Sequence, residues 1–101
     1  MESIERKFKK LVDEGEVEKA REMIRSQFEA VLNRANLNRV KGEEGYVFKI
    51  MYKQEDEKDF KVFTEEETAD GARDFLKAEL QNALEEGFTM ELRYGPPELN
   101  K

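Results

Sequence analysis

The amino-acid sequence predicts a single α+β domain with the element order ααββαβ. Three observations carry that reading. Apolar residues recur at helical spacing over residues 3–40 and again up to Glu86. The period drops to two over 46–53, 59–64 and 88–94. Glycine or proline stands where one period gives way to the other.

Residues 3–14 place Ile4, Phe8, Leu11 and Val12 at i, i+4, i+7 and i+8, one face of a first helix, and Gly15 stops it. A second helix runs from about Glu16 to Val40 on the stripe Val17, Ala20, Ile24, Phe28, Val31 and Ala35, flanked by Met23, Leu32 and Leu37. About 24 residues at 1.5 Å each make it roughly 36 Å long. The short break at Gly15 makes residues 1–41 a helical hairpin. Asn33, Asn36 and Asn38, with Arg34 and Arg39, interrupt the Glu/Lys pattern near its end, as fraying toward Gly42 or as a hydrogen-bonding set.

From Tyr46 the chain alternates. Tyr46, Phe48, Ile50 and Tyr52 share one face, and Val47, Lys49, Met51 and Lys53 the other. Gln54–Lys58 is a polar turn, and Asp59–Thr64 a shorter strand with Phe60 and Val62 directed inward. Thr64 and Glu67 form a capping box, and Glu65, Glu66 and Glu67 suit the positive end of a helix dipole. The third helix carries Ala69, Ala72, Phe75, Leu76, Leu80, Ala83 and Leu84 on one side and stops at Gly87. Phe88, Met90, Leu92 and Tyr94 alternate with Thr89, Glu91 and Arg93 in a third strand, ended by Gly95-Pro96-Pro97; residues 96–101 form a tail.

Residues 42–95 are thus a ββαβ unit. The hairpin makes the first two strands antiparallel, and the third helix carries the chain back. The expected sheet is three-stranded in order 2-1-3, all antiparallel, with the longest and most apolar strand central and the helices on one face. A parallel pairing of strands two and three is the alternative.

Composition narrows the function. The 101 residues include 18 Lys and Arg against 24 Asp and Glu, and no His, Cys or Trp. Without His or Cys the usual nucleophile–base pairs, zinc fingers, haem and iron–sulfur sites lose their ligands. Ser3 lies near the chain end and Ser26 lies mid-helix, and neither has a histidine to activate it. The chain is therefore expected not to be an enzyme and to need no cofactor, and no small-molecule substrate is implied. The net charge of −6 argues against general nucleic-acid binding. Residues 1–41 carry ten basic and eight acidic side chains, residues 42–101 eight basic and sixteen acidic. No apolar run reaches the ~18 residues of a membrane span, and the absence of cysteine fits a reducing compartment. The expected location is the cytoplasm.

The sheet face away from the helices is expected to carry Val47, Met51 and Phe63 ringed by Lys49, Lys53, Lys61 and Arg93. Apolar anchors inside a charged rim are how protein interfaces are built. The sequence therefore predicts a protein-interaction or self-assembling module, with a protein partner or a second copy of itself. The alternative is a small acidic inhibitor that mimics nucleic-acid phosphates through Glu55, Asp56, Glu57, Glu65, Glu66 and Glu67. Two weaker patterns point to nucleic acid. Glu44-Gly45-Tyr46-Val47-Phe48-Lys49-Ile50-Met51 echoes the aromatic strand of RNA-recognition domains at Gly45, Tyr46, Phe48 and Met51, and Asp59-Phe60-Lys61 echoes a magnesium-dependent nuclease. Propensity, capping and turn residues agree with one another throughout, as idealised and thermostable designed sequences do. Gly71 within the third helix and the Asn cluster depart from that pattern.

Overall fold

The computed structural model describes residues 4–37, 45–54 and 57–98. Along the chain lie α1 (Ile4–Asp13), α2 (Val17–Leu37), β1 (Val47–Gln54), β2 (Lys61–Glu66), α3 (Ala69–Glu86) and β3 (Phe88–Gly95). The strands form one antiparallel sheet in the order β2-β1-β3, so the parallel alternative is excluded. The sheet and the three helices make a single compact domain.

Local chemistry explains the element ends. Gly15 adopts φ +78°, and α1 closes on paired bonds from Glu16 N to Leu11 O at 2.8 Å and from Gly15 N to Val12 O at 3.1 Å. That 6→1 and 5→2 pairing needs a left-handed residue after the helix. Gly87, at φ +76°, ends α3 with a single bond to Ala83 O at 2.9 Å. The expected continuation of α2 over 38–40 lies outside the described residues.

The start of α3 corrects the capping-box expectation. Thr64, Glu65 and Glu66 stay paired with Ile50, Lys49 and Phe48, so β2 runs on to Glu66. The N-cap is Thr68, whose hydroxyl accepts from Gly71 N at 2.9 Å. A Cβ at Gly71 would stand 2.6 Å from Glu66 Oε1, the far end of a side chain that can swing away, and 3.1 Å from Thr68 Oγ1, so this turn is tight without demanding a glycine.

The face under the helices holds Phe48, Ile50, Phe88, Met90 and Leu92, packed with Phe8, Ile24, Phe28, Leu76 and Leu80. On β1 and β3 the expected alternation holds: Phe48 faces Tyr94, Ile50 faces Leu92 and Tyr52 faces Met90. On β2 it does not. The register slips between Ile50 and Met51, leaving Phe63 as an extra residue between Val62, opposite Met51, and Thr64, opposite Ile50. The slip exchanges the faces. Phe63 joins the helix side, its ring 5.0 Å from both Tyr52 and Phe75 and 6.1 Å from Phe88. Val62 shares the face of Met51, and Phe60 lies under the Arg93 guanidinium at 5.4 Å. The inward placement of Phe60 and Val62 and the outward placement of Phe63 are thereby corrected. Edge-to-face and tilted contacts of the ring with Tyr52, Phe75 and Phe88 favour that side.

The outer edge of β3 is met by α2 at Leu92. The Gln27 side chain donates from Nε2 to Leu92 O at 3.0 Å and accepts from Leu92 N at 2.7 Å. One amide satisfies both backbone groups of Leu92, which a further strand would otherwise have paired.

Candidate functional site

The sheet face away from the helices does not present an apolar patch. Val47 is 9% exposed, Lys49 8% and Met51 3%. Lys49 pairs with Glu98 at 2.7 Å, and the Glu98 backbone N–H donates to Glu65, so the segment after β3 lies over this face. Lys53 is half-buried. Arg93 is exposed, pairs with Glu91 and covers Phe60. Lys61 binds Glu57 at 2.6 Å. The seven residues expected on one surface therefore divide: Phe63 is on the helix side, Lys61 is aligned with Tyr52 on that side, and Val47, Lys49 and Met51 are mostly covered.

The acidic residues divide as well. Glu55 and Asp56 lie outside the described residues. Glu57 pairs with the Lys61 ammonium and accepts a hydrogen bond from Gln54 N, and these two contacts hold its carboxyl below the ordinary glutamate range. Glu65 and Glu66 sit on opposite faces of β2, and Glu67 is exposed in the turn before α3. Tyr46, half-buried, and Phe48, buried, pack their rings 5.5 and 4.9 Å from Tyr94 on the helix side. Asp59 is exposed, and among the described residues no group of acids is placed to hold a metal ion. Asn33 and Asn36 are exposed and line a recess of about 430 Å³ with Tyr46, Tyr94 and Thr68. Asn38 lies outside the described residues.

A different feature stands out between α2 and α3, a groove of about 500 Å³. Arg21 and Arg25 line it from α2, and Arg73 and Lys77 from α3. Each pair is spaced i, i+4, which sets both cations of a helix on one face. Leu76 and Leu80, buried in the core, supply apolar lining, and Glu22 and Glu29 are the acids among the lining residues. Arg73 spans to Glu29 through two bonds, Nε to Oε2 at 2.9 Å and Nη2 to Oε1 at 3.0 Å, and approaches Asp70 at 3.4 Å. Hydrogen bonding to Arg73 lowers the Glu29 carboxyl and raises the guanidinium in return. Arg21 donates to Gln81 at 2.6 Å, and its Nε meets Glu18 at 3.4 Å without hydrogen-bond geometry. Arg25 lies 3.9 Å from Glu22.

Sequence reasoning missed this groove because its cations lie about 50 residues apart in two helices that each look like ordinary charged surface. The available signal was the repeated i, i+4 pair beside an apolar stripe. Comparison of the chain with protein-family models, with curated proteins and with solved structures finds no match. Among the described residues no helix is long and apolar enough to cross a membrane.

Proposed function

We propose that the protein is a non-catalytic interaction module that docks an acidic amphipathic segment of a partner protein in the groove between α2 and α3. One observation carries this reading: four cations, from both helices, line one groove with Leu76 and Leu80, against two acids, on a chain whose net charge is −6. An apolar lining supplies burial, and rim cations supply orientation and a faster encounter with an acidic partner. The groove beside the long helix thus takes the part that the sequence alone assigned to the sheet face. The missing His and Cys support binding over catalysis, and the absence of cysteine suits a reducing cytoplasm. The agreement of local signals suits a computationally designed, thermostable chain.

The test is fluorescence anisotropy with a labelled helical peptide carrying Leu at i, i+3, i+4 and i+7 and Glu elsewhere. The expected result is saturable binding that weakens with salt, is absent for the same peptide with Lys in place of Glu, and falls at least about tenfold in Arg25→Glu and Lys77→Glu. Equal binding of both peptides, or no effect of either reversal, overturns the reading.

A further inference from the structure

Two side-chain contacts join α2 to α3 across the groove. Arg21 donates to Gln81 at 2.6 Å, and Arg73 binds Glu29 at 2.9 and 3.0 Å. Eight residues forward along α2, from Arg21 to Glu29, correspond to eight residues back along α3, from Gln81 to Arg73. The helices therefore pass antiparallel, and the two contacts stand about 12 Å apart. Arg25 and Lys77 lie midway between them, one on each wall. The helix pair thus has three rungs. The outer two are closed, and the middle one sets a cation against a cation.

The middle rung is also poorly compensated. Among the described residues Lys77 has neither ion pair nor hydrogen bond, and Arg25 has only Glu22, along its own helix at 3.9 Å. Glu29, the other acid lining the groove, is held by Arg73. One arginine with one glutamate or glutamine spans each flanking rung, so two longer side chains at the middle can reach a single ion. A carboxylate brings one charge to these two cations. A phosphoryl group brings nearly two, with three acceptor oxygens to share between a guanidinium and an ammonium. Ser26, exposed, lines the same wall beside Arg25.

We propose that Arg25 and Lys77 form a phosphoryl seat at the centre of the groove, and that the docked acidic segment is recognised through one phosphorylated side chain. This rests on the groove being the docking site. It adds which cations select the partner: Arg25 and Lys77 meet the phosphoryl group, while Arg21 and Arg73 stay with Gln81 and Glu29.

Fluorescence anisotropy on the full chain tests the proposal with two labelled peptides. One is the Leu/Glu helical peptide described above, and the other replaces one Glu midway along it with phosphoserine. At about pH 7.5, where the phosphoryl group carries nearly two charges, the phosphoserine peptide is expected to bind at least about tenfold tighter. Lys77→Gln is expected to cut that preference below about threefold, and Arg21→Gln to retain more than about half of it. A second measurement needs no peptide. Lys77→Glu sets an acid opposite Arg25 and is expected to raise the melting temperature by about 1–4 °C, a rise that shrinks in the Arg25→Gln background. Equal binding of the two peptides, or a preference undiminished in Lys77→Gln, overturns the phosphoryl seat and leaves the docking groove standing. Binding of neither peptide overturns both. A Lys77→Glu chain that melts no higher than wild type, or a rise undiminished in Arg25→Gln, overturns the opposed rung on which the seat depends.

Discussion

Gln27 does with one side chain what a neighbouring strand does with its backbone. Its neighbours in the stripe, Ile24 and Val31, are buried, so a glutamine there had to find polar partners, and Leu92 supplies both. Gln27→Ala strands an N–H and a C=O in a part-buried place and is expected to cost about 2 kcal/mol by urea denaturation. Gln81→Ala, which removes one exposed bond to Arg21, is expected to cost less than about 0.5 kcal/mol. Lys49 is the opposite case. Its ammonium is nearly buried and is held by the half-exposed Glu98. Glu98→Ala removes the partner and is expected to cost about 1–2 kcal/mol, whereas Lys49→Met removes the buried charge and is expected to fall within about 1 kcal/mol of neutral. Thermal melts of the two variants check that asymmetry.

Caps and register decide the elements. Thr68→Ala is expected to lower stability by about 1 kcal/mol, because Gly71 N loses its acceptor. Thr64, the cap read from the sequence, instead sits in the ladder opposite Ile50, and replacing it is expected to leave helix content unchanged in circular dichroism. Element types and the β2-β1-β3 order were legible because each rests on a long apolar period and on glycines that permit a left-handed turn. The cap was not, since Thr64 and Thr68 both precede acceptable first turns and only the length of the β1–β2 ladder separates them. Nor was the slip at Phe63. Phe60, Val62 and Phe63 offer two alternations, and the choice depends on Phe75 and Phe88, which enter the chain later. The candidate surface inherited that error, because Phe63 had been its largest anchor.

For the whole molecule, the clasp between Glu29 and Arg73 ties α2 to α3 across the groove. Its hydrogen bonds lower the folded-state pKa of Glu29. The stabilisation it adds is therefore present above the ordinary glutamate value, about pH 4.3, and is lost as pH falls through the lower folded value. Both partners are about half exposed, so solvent screening keeps the contribution of the clasp small. Glu29→Gln is expected to lower the melting temperature slightly at pH 7 and to match wild type at pH 2, which calorimetry across that range checks. The order of the sheet also bears on how the chain is made. β1 is central, yet its second neighbour β3 is the last strand to leave the ribosome. Until then the Val47–Tyr52 run stands as a bare edge, and Gln27 waits without its partner. Nascent chains paused before Phe88 would offer that run to one another, so the interval before β3 emerges is when a chaperone would matter most.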